Sequence, residues 1–196
     1  TIMSVHTFED FEARVFVGVP LAVEAHILHA TRAVVVWFAD SVEVCRESYS
    51  YTPSKEDTGK RLSVLIIPIR PGHSGEGCEE AFEYQNPVEA LPSLPLIHPM
   101  RDAWTIRSRD STLNNELRVL SYNLLADLYA SRKVDQAVMY NHCPVEFLAR
   151  RRRMPLLLYE MLVYQPDVIC LQEVDASIFS GLFRPCLESQ GYQGYY

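Results

Sequence analysis

Six prolines, at positions 68, 71, 87, 92, 95 and 99, are crowded into one stretch of this chain, with Gly72, Gly75 and Gly77 among them. Each proline fixes φ and removes a backbone donor, so neither a long helix nor a central strand is expected there. The stretch reads as an extended connector with one short strand around residues 81–84, and it separates two parts of different character. The expected division is a β-sandwich domain over 1–70, a proline-rich connector over 71–115, and the opening part of a second domain over 116–196.

The first part is a succession of short strands. Residues 12–19 and 31–38 are rich in Val and Phe, 43–51 alternate, and 61–67 are β-branched. Turn signals separate them: Val19-Pro20, Ala39-Asp40-Ser41, and Thr52-Pro53-Ser54 through to Gly59. Such spacing predicts a small β-sandwich with Trp37 at its centre. The run from Tyr51 to Val64 resembles the turn and strand of cysteine-free immunoglobulin-like repeats. No disulfide-bonded cysteine pair flanks Trp37, which excludes an antibody-type domain.

The second part changes period. Residues 117–123 read as a strand, and helical spacing is clearest over 146–164. Residues 168–171 form a nearly continuous apolar run, as expected of a strand buried on both faces, and helical spacing returns over 176–187. Strand, helix, strand in this order implies two strands running the same way. Asn123 would then end the first strand and Glu173 the second, both at the sheet edge where open α/β sheets place their ligands. A carboxamide and a carboxylate are hard oxygen ligands, better suited to magnesium or manganese than to zinc. Spacing alone leaves the alternative that Asn123 caps a turn and Glu173 caps the next helix. Pro155 and Pro185 fall in helical stretches and should mark a helix start or a kink.

Charge and cysteine content narrow the setting. Asp and Glu outnumber Lys and Arg by 25 to 18, so a nucleic-acid partner would need local positive patches. No apolar run approaches the roughly 18 residues of a membrane span. The five cysteines form no C-x-x-C pair and suggest free thiols in the cytosol or mitochondrial matrix. His98 and His142 each stand beside a proline without a metal partner at usable spacing and read as surface residues.

Two longer words in the second part carry a resemblance. Leu120-Ser121-Tyr122-Asn123-Leu124-Leu125-Ala126-Asp127 and Pro166-Asp167-Val168-Ile169-Cys170-Leu171-Gln172-Glu173-Val174-Asp175 closely resemble the first two motifs of the endonuclease/exonuclease/phosphatase superfamily. Within it they look most like the carbon-catabolite-repressor-type deadenylases and the mitochondrial 2′,5′-phosphodiesterase. Tyr140, Cys143-Pro144, Arg153, Glu160, Tyr164, Phe179 and Gly191-Tyr192 with Gly194-Tyr195 extend the likeness over about residues 117–196. The resemblance implies a four-layered α/β nuclease domain, two sheets between helices, of which these residues furnish the first strands and helices. An open sheet face would follow, so the chain is expected to be a fragment of a longer enzyme or the ordered part of one in an assembly.

The same likeness implies a magnesium-dependent (or manganese-dependent) phosphodiesterase or 3′-exoribonuclease. It would remove adenylates from RNA 3′ ends or from 2′,5′-linked oligoadenylate. Carried over by position, Glu173 matches the principal metal ligand and Asn123 the residue that positions the ion and the scissile phosphate. Gln172 would orient the Glu173 carboxylate. Asp127 and Asp175 lie near the same edge and read first as a helix-start cap and a surface charge.

Two departures stand out. The superfamily's later motifs, which carry its catalytic aspartate and a closing Ser-Asp-His, are not in these residues. Arg150, Arg151, Arg152 and Arg153 replace a segment that is aromatic and acidic in the relatives, only Arg153 matching. They are candidates for contacting RNA phosphates, against the alternative of a solvated helix face. A rival reading is therefore a catalytically inactive relative, acting as a structural or assembly factor in an RNA-containing complex. A third, ranked below both, is a phosphatase of inositol lipids or a small ester. The likeness favours the mitochondrial matrix over the cytoplasm.

Overall fold

The computed structural model describes residues 4–7, 11–28, 30–69, 79–92, 117–132, 136 and 138–196. Most of the proline-rich connector, with His98, lies outside them. The chain forms two compact units, one of residues 1–90 and 176–196 and one of residues 91–175. No described helix is long and apolar enough to cross a membrane.

The first unit is strand-rich. Its strands are β1 (Ser4–Thr7), β2 (Val15–Phe16), β3 (Leu21–Ala22), β4 (Ala25–Leu28), β5 (Arg32–Ala39), β6 (Val42–Arg46), β7 (Ser50–Tyr51), β8 (Leu62–Ile69), β9 (Glu80–Glu83) and β10 (Val88–Glu89). An antiparallel sheet in the order β6-β5-β8-β9 is its centre, and β1 with β4, β3 with β7 and β2 with β10 form two-stranded sheets. Along β8 every second residue is buried, as a strand with one face on a core requires. Trp37 is fully buried, with Tyr51 and Tyr84 stacked near it at 5.9 and 6.4 Å. Its indole N–H donates to the Ser48 carbonyl at 2.9 Å, so the core holds the ring without an unpaired donor.

Local chemistry sets the turns. Asp40 and Ser41 form a two-residue loop between β5 and β6, at φ of 47° and 67°, the left-handed pair that a tight hairpin matching strand twist needs. Ser54 and Asp57 cap a single 3₁₀ turn, Lys55–Asp57, reciprocally.

The strands run on past residue 70. β9 adds to the edge of β8, β10 pairs in parallel with β2, and Tyr84 and Val88 are buried in the core. Composition had suggested a connector here, with one strand near 81–84. Pro68 itself lies in β8, opposite Ala33 of β5 and beyond the residues that β9 pairs with, where a missing donor is tolerated.

Residues 176–189 of this unit are helical throughout: Ala176–Ile178, a π turn at Phe179–Phe183, and Arg184–Ser189 with Pro185 in its first turn. Cys186 is buried and its thiol donates to the Pro20 carbonyl at 3.3 Å. Gly194 packs on the Phe179 ring so closely that a Cβ would lie 3.2 Å from it, which gives that glycine a steric reason.

The second unit contains β11 (Val119–Asn123), α1 (Asp127–Ala130), α2 (Val145–Leu148), α3 (Arg150–Val163) and β12 (Val168–Gln172). β11 and β12 pair in parallel, Val119 opposite Val168 through Asn123 opposite Gln172. The apolar run in β12 is not buried on both faces, contrary to the sequence expectation. Both strands alternate exposed and half-buried, with Val119 56% and Val168 40% exposed. The half-buried face includes Tyr122, whose hydroxyl donates to Glu160 of α3 at 2.8 Å, and Tyr164 donates to the same carboxylate at 3.3 Å. The helical stretch expected over 146–164 is broken at Ala149, whose backbone is extended, and Pro155 is buried inside α3, five residues after its start.

Candidate functional site

The parallel register decides which side chains meet. Asn123 is opposite Gln172, so the next residue on the second strand, Glu173, arrives beside Asn123. The Asn123 amide donates to Glu173 Oε1 at 2.8 Å, and the Ala126 N–H donates to Oε2 at 3.1 Å. Asn123 Oδ1 in turn accepts the Leu125 N–H at 2.9 Å, and the Leu124 N–H donates to the Gln172 carbonyl at 3.0 Å. A step further on, the Asp127 N–H donates to Asp175 Oδ2 at 2.9 Å. The two strand ends are thus laced together over residues 123–127 and 172–175.

The backbone is strained at this junction. Leu125 and Glu173 have φ of 60° and 56°, in the left-handed region that side chains with a Cβ rarely adopt. Such residues persist where surrounding bonds over-determine them, and they gather at functional sites. Here the bonds are those just described. They also hold the Glu173 carboxyl below the usual carboxylate range, through the Asn123 amide first and the Ala126 N–H second, against a small opposing effect of burial. The carboxylate is exposed and anionic at neutral pH.

Arg153 braces the loop from behind. Only 12% exposed at its side chain, it donates through Nη1 to the carbonyls of Leu124 at 2.5 Å and Leu125 at 2.8 Å, with longer contacts to Leu148 O and Asp127 at 3.4 and 3.5 Å. Burial draws its pKa down from the usual guanidinium value, partly offset by Asp127. The other three arginines are placed differently. Arg150 and Arg151 are exposed, and the Arg152 guanidinium sits 4.5 Å over the ring of Phe147. Gln172 points to Ser121 Oγ and the Cys170 carbonyl, at 3.4 and 3.1 Å, and it is Asn123 and Ala126 that orient Glu173. His142 is exposed.

The donor set is one anionic carboxylate beside a carboxamide oxygen that has a lone pair left after Leu125. Magnesium keeps several waters and is held through one or two carboxylates, so these residues fit it in kind. Among the described residues no group of three His, Cys, Asp or Glu could hold a metal. Sequence reasoning expected Asn123 and Glu173 at one sheet edge, and they meet there. It missed the Ala126 N–H and the inward turn of Arg153, since a backbone donor leaves no mark in sequence and four consecutive arginines look alike.

No family model matches the chain. Among known proteins it is similar to 2′,5′-phosphodiesterase 12 of Homo sapiens, 37% identical over 151 residues, covering 76% of this chain and 23% of that protein. Nocturnin of Mus musculus is 38% identical over 129 residues, 66% of this chain and 26% of its own. Carbon catabolite repressor protein 4 homolog 1 of Arabidopsis thaliana is 45% identical over 76 residues, 39% of this chain and 12% of its own. The chain spans about a quarter of the length of the first two.

Proposed function

This chain belongs to the endonuclease/exonuclease/phosphatase superfamily, with the 2′,5′-phosphodiesterase, nocturnin and carbon-catabolite-repressor proteins as its relatives, and on that footing we propose that it serves a magnesium-dependent phosphodiesterase. The substrate in this reading is RNA at its 3′ end or 2′,5′-linked oligoadenylate, and the product is a released adenylate. The single observation that carries it is the pairing of Asn123 with Glu173 at the matched ends of two parallel strands.

Glu173 would be the principal ligand of the ion, with Asn123 beside it. When bound, magnesium supplies Lewis-acid stabilisation of charge on the scissile phosphate. The residues of this chain do the rest of the positioning. The Asn123 amide and the Ala126 N–H keep Glu173 ionised and fix its two oxygens. Arg153 holds the carbonyls of residues 124 and 125, so that the strained turn supplying the Ala126 N–H keeps its shape. Pre-formed geometry of this kind spares reorganisation during reaction.

In this proposal the strand-rich unit is an immunoglobulin-like sandwich, a reading supported by the fully buried Trp37 and the four-stranded antiparallel sheet around it. The mitochondrial matrix is the proposed compartment. The free thiols Cys45, Cys143, Cys170 and Cys186 accord with a reducing setting.

The test is release of AMP from a short oligoadenylate by the full-length protein, with magnesium and with EDTA, beside Glu173→Ala. Release that needs magnesium and is lost in the variant supports the enzyme. No release from 2′,5′- or 3′,5′-linked substrates by a folded protein overturns it in favour of a non-catalytic assembly factor.

A further inference from the structure

We propose that Asp175 is a positioning residue for the candidate metal site: its carboxylate anchors the backbone of Asp127 and so holds the turn that fixes Glu173. The inference rests on the magnesium-dependent reading of that site and adds a residue to what keeps it in shape.

The bond answers a gap in local chemistry. An α-helix begins with N–H groups that have no partner inside it. Ala126 stands at the cap position of α1, and alanine has no side-chain oxygen with which to cap. The acceptor comes instead from beyond the end of β12, where Asp175 Oδ2 receives the Asp127 N–H at 2.9 Å. Sequence alone reads Asp175 as a surface charge, yet in the structure it is half-buried. Successive amides of the turn are therefore taken by carboxylates two residues apart, Ala126 by Glu173 at 3.1 Å and Asp127 by Asp175.

The two bonds differ in what else their carboxylates must do. Glu173 is the group that would hold the ion, so its hold on Ala126 competes with that task. Asp175 has no such task in this reading, and its bond is the one free to persist unchanged. It also belongs to a closed circuit. Asp127 Oδ1 lies 3.5 Å from Arg153 Nη2, and Arg153 donates to the Leu124 and Leu125 carbonyls. The Leu124 N–H returns to the Gln172 carbonyl, on the segment that leads to Asp175. Burial lowers the pKa of Arg153; Asp127 opposes this, and Asp175 adds to the opposition. Leu125 and Glu173, both at left-handed φ, lie within the circuit, and backbone of that kind persists only where its surroundings fix it.

Binding of manganese(II) to the full-length protein without substrate, read by electron paramagnetic resonance of the free ion, tests this. The variants are Asp175→Ala, which removes the acceptor, and Asp175→Asn, which keeps one, each checked for native circular dichroism. A partner that orients a metal ligand is worth about 10- to 100-fold in affinity. The alanine variant should therefore bind manganese at least about tenfold more weakly. It should need correspondingly more magnesium for AMP release, with kcat at saturating magnesium within about threefold of wild type. Hydrogen exchange at the Asp127 amide should quicken about tenfold. The asparagine variant should stay within about threefold of wild type in binding and in exchange. Wild-type manganese affinity in Asp175→Ala overturns the proposal, as does an unchanged Asp127 amide. Equal loss in both variants overturns it too, because charge rather than the bond would then matter, as for a direct ligand. No manganese binding by wild type brings down the metal reading and this inference together, whereas binding by wild type with both variants indifferent brings down this inference alone.

Discussion

Replacing Arg153 by methionine should loosen the loop that carries the candidate site while leaving α3 formed. Methionine keeps much of the side chain's apolar bulk and removes all its donors. Two of the lost hydrogen bonds are short, 2.5 and 2.8 Å to the Leu124 and Leu125 carbonyls, and two are long, 3.4 and 3.5 Å, and count for little. Bonds from a charged donor contribute about 1.5–3 kcal/mol each. One nitrogen serves both short bonds, and burial opposes the charge, so the lower end applies. The sum is about 3 kcal/mol of local opening free energy. At about 1.4 kcal/mol per decade, that is roughly two orders of magnitude. The reporters are the amides of Leu125 and Ala126, which donate to Asn123 Oδ1 and Glu173 Oε2. Hydrogen exchange at these two should speed up about a hundredfold in Arg153→Met and less in Arg153→Lys, which keeps the charge without the fork. Exchange within a factor of three of wild type, with α3 still protected, would refute the claim that Arg153 braces the loop.

Two further outcomes follow from the hydrogen bonds. In Asn123→Ala the Glu173 carboxyl should titrate closer to its ordinary value of 4.5, followed by carbon NMR of the side chain. Because its folded pKa is depressed, the order it confers is complete above the ordinary value and lost as pH falls through the folded one. An unchanged titration would mean that Asn123 is not what holds it down. In the strand-rich unit, Asp57 is 3% exposed and accepts from the Tyr51 hydroxyl at 2.7 Å and from Ser54 N and Oγ at 2.8 and 3.1 Å. Burial raises its pKa, but these bonds outweigh burial and hold it below 3.8. Its contribution is therefore present above that value and lost as pH falls through the lower folded one. Asp57→Asn should cost about 2 kcal/mol at neutral pH and remove that acid dependence, read by thermal melts at pH 7 and pH 2–3. Equal melting at both pH values in wild type would remove Asp57 from this role.

What the sequence made legible was what period and punctuation encode. A β-branched run marked β8, the Asp40-Ser41 turn marked the β5–β6 hairpin, and the helical spacing marked α3. Prolines misled where a strand edge could absorb them. Pro68 lies in β8 and the residues after Glu79 rejoin the sheet, because a missing donor costs little where no further strand pairs. The apolar run of β12 looked fit for burial on both faces, yet composition cannot tell a covered face from one left open, and Val168 is 40% exposed.

The site divides along the same line. That Asn123 and Glu173 would meet was legible because parallel strands bring the residues at their ends together, but spacing left both open to a capping role and only the resemblance of the two motifs singled them out. What fixes them was not legible, since it is made of the Ala126 N–H, two carbonyls and a pair of left-handed φ values. The run of arginines shows how geometry divides identical residues between tasks. A helix turns each successive side chain by about 100°, so Arg153 can turn inward to brace the backbone while Arg150 and Arg151 are exposed and Arg152 lies over the Phe147 ring. A bracing role depends on fixed carbonyl partners, which tolerate no substitute for the fork.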